Sequence, residues 1–88
     1  MSDNLAKKLF IKGLEFFKNK KLEQAAQIFK EILTINPKNV NSLIILSQIY
    51  KLKNNINKYE KLLRKIIELD ENNYRSLNNL ALLYKDNN

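Results

Sequence analysis

The sequence contains no cysteine, no histidine and no tryptophan. Without Cys and His, thiolate and imidazole metal sites are excluded, together with thiol nucleophiles, every His-dependent triad and any disulfide framework. A single glycine, Gly13, cannot build a glycine-rich phosphate loop, and a single proline, Pro37, leaves little of the turn chemistry that an all-β chain needs. No apolar run approaches the roughly eighteen residues of a membrane span, and the leading Met-Ser-Asp-Asn has neither the basic region nor the apolar block of a secretion signal. These gaps favour a soluble, cytoplasmic, helical chain, and 88 residues leave room for one small domain.

What the sequence has in quantity is Lys, Asn and Ile. Fourteen Lys, fourteen Asn and ten Ile make up 38 of the 88 residues, and 16 Lys and Arg against nine Asp and Glu set a formal net charge of +7. All three residue types have A/T-rich codons, so composition alone is a sufficient source for much of the basicity. The charge becomes a functional signal only through its placement.

The strongest pattern is internal repetition with a period of 34 residues. Leu9, Leu43 and Leu77 fall in step, as do Gly13, Ser47 and Ala81, and Phe16, Tyr50 and Tyr84. Lys12, Leu46 and Leu80 form a fourth column, broken in size class only by Lys12. Further along, Leu22 pairs with Ile56, Phe29 with Leu63, Ile32 with Ile66 and Asn39 with Asn73. A fixed period of this length marks a stacked helical repeat. Within each period the apolar residues advance in steps of three and four, and polar breaks separate the blocks. The spacing predicts five helices, near residues 3–18, 22–34, 40–52, 56–69 and 73–86. Asn and Asp at the breaks suit helix ends, where their side chains satisfy free backbone groups, and Pro37 stops the second helix.

The first helix is apolar on more than one side, through Leu5, Ala6, Leu9, Phe10, Ile11, Leu14, Phe16 and Phe17. One side is expected to meet its partner helix, and another the next repeat or a ligand. The fourth helix is one-sided, with Tyr59, Leu62, Leu63, Ile66 and Ile67 opposite a charged face.

With Leu9, Gly13, Phe16, Ala25, Phe29 and Pro37 at its set offsets, the first period resembles the tetratricopeptide repeat, a 34-residue helix–turn–helix unit. The second period resembles it through Leu43, Leu46, Ser47, Tyr50, Leu63 and Ile66, with Glu71 in place of the proline. Tyr59 departs from it, standing at the small position of Ala25, so either the fourth helix is pushed outward or the ring escapes sideways with its hydroxyl wet. The resemblance implies an all-α fold, a right-handed superhelical array of antiparallel helix pairs forming an α-solenoid of five helices in one domain over residues 1–88. Its units would be repeat one at 6–39, repeat two at 40–73, and a half repeat or capping helix at 74–88. The last helix then lacks a partner, and Leu80, Leu83 and Tyr84 are expected to be incompletely covered.

Members of this family act chiefly as interaction scaffolds that hold a peptide or partner helix in a concave groove lined by the first helix of each repeat. Carried over by position, the groove comprises Lys7, Phe10, Ile11, Leu14, Phe17 and Lys18 from the first helix. The third helix contributes Asn41, Ile44, Ile45, Gln48, Lys51 and Leu52, and the fifth Arg75, Asn78, Asn79, Leu82 and Lys85. An apolar centre with a basic and amide rim suits a protein or peptide partner of acidic or amphipathic character. One branch of the family grips a chaperone's acidic tail through Lys, Asn and Arg at groove positions. The equivalents here include Phe10, Leu14 and Ile45, and only Arg75 resembles that clamp, so this ligand is not expected.

Two other readings stand behind the scaffold. The chain could instead be a self-associating module, a homo-oligomer joined through the groove or the last helix. A basic nucleic-acid-binding module ranks third: Lys58, Lys61 and Lys65 make a stripe on the fourth helix, but Glu60 and Glu68 interrupt it and the aromatics sit at packing positions. Catalysis has little support, because the carboxylates lie mainly on outer faces and Ser42, Ser47 and Ser76 lack a base, and no cofactor or metal is implied.

Overall fold

The polar breaks fall where they do because each carries residues that can end one helix and begin another. In the computed structural model of the chain, which describes residues 2–86, they separate α1 (Ser2–Lys18), α2 (Leu22–Ile35), α3 (Val40–Leu52), α4 (Ile56–Leu69) and α5 (Tyr74–Asp86). No strand occurs among the described residues. Residues 87 and 88, the close of the expected half repeat, lie outside them, as does Met1.

The 34-residue period extends to the backbone of the turns. Inside the first period, the Lys21 amide donates to the Phe16 carbonyl at 2.9 Å and the Lys20 amide to that of Phe17 at 3.0 Å. One period later, Asn55 donates to Tyr50 at 2.8 Å and Asn54 to Lys51 at 3.0 Å. Both are Schellman closures, which need one residue in the left-handed region, and Lys20 (φ 62°) and Asn54 (φ 60°) supply it. Between periods, Asn36 and Asp70 close α2 and α4 in the same extended conformation. Asn39 and Asn73 then cap α3 and α5, their side-chain oxygens accepting from the amides of Ser42 at 2.9 Å and Ser76 at 3.0 Å.

Each helix packs on its neighbours in the chain, α1 with α2 and α3 with α4 most extensively. The three-residue turns force each of these pairs to run antiparallel. The result is a slab of 44 × 27 × 17 Å, about two helix layers thick at the 8–10 Å spacing of packed axes. The core is one continuous cluster built on Ala25, Phe29, Ile32, Leu46, Ile49, Tyr50, Tyr59 and Leu63, so the two pairs are fused rather than merely adjacent.

The crossing of α1 and α2 is set at Gly13. A Cβ placed there would stand 2.8 Å from Phe29 Cζ and 3.1 Å from Ile28 Cγ2. Phe29 has no room to retreat, being fully buried with its ring edge-on to Phe10 at 5.5 Å. One period later the equivalent columns hold Ser47 and Leu63, a larger residue on the first helix and a shorter one on the second, and both line one cavity. Tyr59, at the position of Ala25, is 4% exposed. Its ring is enclosed beside Ser47 and Ser76, whose small side chains leave the space, with Lys51 Nζ 5.7 Å from its centroid.

The first helix is two-sided as its pattern predicts. Ala6, Leu9, Phe10, Leu14, Phe16 and Phe17 pack against the core, whereas Leu5 and Ile11 face outward. On α5, Leu80 and Leu83 reach the core, and Tyr74, Leu77 and Tyr84 stay exposed.

Candidate functional site

Helices α1, α3 and α5 and the turns before α3 and α5 supply most of the lining of two cavities, which together make the candidate face. The first, about 580 Å³, lies between the amino-terminal half of α1, the α2–α3 connection and the start of α3. Its floor is Ala6, Phe10, Ile11 and Ile35, and its rim is Lys7, Asn36, Asn39 and Asn41. Phe10 therefore works on both sides: one part of the ring is locked against Phe29 in the core, and another is presented to the cavity.

The second cavity, about 310 Å³, lies between α3 and α5 and is closed beneath by α4. Ile44, Tyr59 and Leu63 give it apolar walls, Ser47, Gln48, Asn73, Ser76 and Asn79 give it hydrogen-bonding groups, and Lys51 and Arg75 stand at its edge. Burial pushes the Tyr59 hydroxyl above its ordinary value of 10.0, so the phenol is a neutral donor at physiological pH.

The charge distribution separates this face from the rest of the surface. The residues lining the two cavities include Lys7, Lys51 and Arg75 but no Asp or Glu. The carboxylates that make contacts lie elsewhere: Glu23 pairs with Lys53, whose hydrogen bond and charge hold its carboxyl below the usual range, and Glu60 pairs with Arg64 at 3.0 Å. An anionic ligand meets no like charge among the residues that line either cavity.

Of the groove residues expected from position, Lys7, Phe10, Ile11 and Asn41 line the first cavity, and Ile44, Gln48, Lys51, Arg75 and Asn79 the second. Leu14, Phe17 and Ile45 are half-buried and pack against the core cluster between them. Asn78 and Leu82 are exposed on α5 outside both linings, as are Lys18, Leu52 and Lys85 on their own helices. Sequence reasoning missed Ala6, Ile35, Asn36 and Asn39 in the first cavity and Ser47, Tyr59, Leu63, Asn73 and Ser76 in the second. Tyr59 was the legible signal among them, because a large ring at a small position has to occupy space that its repeat equivalent leaves empty. The basic stripe of α4 is exposed at Lys58, Lys61 and Lys65, and Lys58 lies 5.3 Å from the Tyr50 ring.

Residues 16–83 match the model of the family described as tetratricopeptide repeat. The chain belongs to the tetratricopeptide repeat family. No curated protein matches it. Tetratricopeptide repeats generally mediate protein–protein interaction. Among the described residues, no helix is long and apolar enough to cross a membrane.

Proposed function

We propose that this tetratricopeptide repeat is an interaction module that holds a peptide or helix of a partner protein along α1, α3 and α5. The apolar anchors of the ligand enter the two cavities and its acidic groups meet Lys7, Lys51 and Arg75. The observation that carries this reading is the pairing of apolar floors with rims that hold cations and amides and no carboxylate. Burial of anchor side chains supplies the affinity, and the rim selects among partners.

Ile11 is the cleanest position at which to test the first cavity, because it lines the cavity while 67% exposed, so a charge there leaves the core intact. Peptides selected from a random display library against the whole chain are expected to combine apolar anchors with Asp or Glu. Ile11→Glu and Arg75→Glu should each weaken them by about tenfold or more while leaving the melting temperature near that of the parent. Selected peptides that bind both variants as well as the parent would remove the groove from the account. Light scattering over a dilution series tests self-association through the same face, for which the module reading expects a monomer.

A further inference from the structure

The second cavity holds more hydrogen-bonding capacity than the fold uses. Tyr59 and Ser76 both line it, and both are 4% exposed. Buried hydroxyls ordinarily have a partner, yet neither of these makes a hydrogen bond among the described residues. Ser42 Oγ is the one unpartnered side-chain oxygen there that is sealed from solvent. The Tyr59 and Ser76 oxygens are therefore open to water, and the cavity is the space they open to. Their polar neighbours serve the helices instead. Ser47 Oγ donates to the Ile44 carbonyl at 2.7 Å, and Asn73 Oδ1 accepts from the Ser76 amide at 3.0 Å while its Nδ2 donates to Asp70 Oδ2 at 3.5 Å.

The unused hydroxyls sit in a field of one sign. Ion pairs among the described residues join Lys53 to Glu23 and Arg64 to Glu60, and Lys51 and Arg75 at the cavity's edge have none. Lys51 Nζ lies 5.7 Å from the centre of the Tyr59 ring. Helix α5 also begins here: its cap Asn73 and its first-turn residues Arg75 and Ser76 are in the lining, so the positive end of a 13-residue helix adds to the two cations. Asp70, the carboxylate behind Asn73, is outside the lining.

Two uncompensated cations and a helix terminus match two negative charges, and two free hydroxyls beside them match more than two acceptor atoms. A carboxylate brings one charge and two oxygens. The diester of a nucleic-acid backbone also brings one charge and two free oxygens per phosphate. A phosphate monoester carries about −1.5 to −2 at pH 7 and has three terminal oxygens, which Arg-bearing sites hold through charge-assisted hydrogen bonds. Ile44 and Leu63 supply apolar walls for the carbon stem of such a group.

We propose that the cavity between α3 and α5 binds the phosphoryl group of a phosphoserine or phosphothreonine in the partner segment. Arg75 and Lys51 pair with its charge, the Tyr59 and Ser76 hydroxyls donate to its oxygens, and its stem rests against Ile44 and Leu63. This names one acidic group of the groove ligand and rests on the groove reading for the remainder of the segment.

The probe is N-acetyl-phosphoserine amide, compared with N-acetyl-glutamate amide and with inorganic phosphate. Each is titrated into the isotope-labelled full chain at about 0.1 M salt, where distant charges are screened. The phosphoserine amide should give saturable amide shifts at Gln48, Ser76 and Asn79 with a Kd of about 10 mM or below, and the other two should bind about fivefold more weakly or less. Arg75→Gln and Lys51→Gln should each cost about tenfold, and Tyr59→Phe about threefold, with melting temperatures near that of the parent. Lys61→Gln, on the outer face of α4, removes the same charge and should cost less than about twofold. The affinity should fall several-fold, up to about tenfold, between pH 7 and pH 5 as the ligand loses its second charge near pH 6, because the lining holds no His, Asp or Glu that titrates there. Absence of saturable shifts overturns the proposal, as do shifts centred on Lys58, Lys61 and Lys65, equal binding of the glutamate amide, a flat pH profile, or indifference to Arg75→Gln or Tyr59→Phe. Inorganic phosphate binding as tightly as the phosphoserine amide overturns it too, by showing a site for the free ion. The groove reading fails separately, in selected peptides that bind Ile11→Glu and Arg75→Glu as well as the parent, a result that these titrations neither need nor supply.

Discussion

Gly13 is the residue on which the first helix pair turns. By helix propensity alone, Gly13→Ala would gain about 1 kcal/mol. The new methyl would stand 2.8 Å from a fully buried Phe29 ring held edge-on by Phe10, so the substitution is expected to destabilise by about 1–3 kcal/mol. Phe29→Leu alone should also destabilise, through the cavity it leaves. Together they recreate a small-with-Leu pair like Ser47 and Leu63, so the double variant should be more stable than the sum of the singles, by a coupling of about 1 kcal/mol or more in urea unfolding. Strict additivity would mean that the methyl and the ring do not meet. Tyr59 gives a second prediction at this scale. Its folded-state ionisation is raised by burial, so below pH 10.0 the ring contributes fully, and above that the unfolded chain ionises first. Stability should therefore fall as pH climbs past 10, and Tyr59→Phe should flatten that fall relative to the parent.

At the scale of elements, the helix boundaries were legible because the same chemistry recurs each period. The expected ends at residues 18, 34, 52, 69 and 86 meet observed ends at Lys18, Ile35, Leu52, Leu69 and Asp86. Asn39 and Asn73 could be read as caps from their place between polar breaks and apolar runs, and their side chains do accept from Ser42 and Ser76. The left-handed residue that closes α1 and α3 was not legible, since neither Lys20 nor Asn54 is glycine. Asn tolerates that conformation better than Lys does, so the closure of α1 is the strained copy. Lys20→Gly should raise stability by about 0.5–1 kcal/mol, and Asn54→Gly by less, both measured by thermal unfolding. A destabilising Lys20→Gly would mean that the lysine side chain has a role beyond its backbone angle.

Over the whole molecule, the +7 charge acquires a pattern that composition could not supply. Cations stand at the rims of both cavities with no carboxylate among the lining residues, and other cations are held in contacts with Glu23, Glu60 or tyrosine rings. The family resemblance puts the expected groove on α1, α3 and α5, the helices that supply most of the lining of the two cavities. Leu14, Phe17 and Ile45, expected to line the groove, are half-buried and also pack against the core cluster, and Tyr59 of α4 joins the lining of the second cavity beside the small residues Ser47 and Ser76, a placement that appears only when three helices are assembled. The proposed groove is tested most directly by mapping the amide shifts of the isotope-labelled chain as a library-selected peptide is added. The account predicts shifts at Ile11, Asn41, Ile44, Gln48 and Asn79, with α2 and the outer face of α4 quiet; shifts centred on Lys58, Lys61 and Lys65 instead would contradict it.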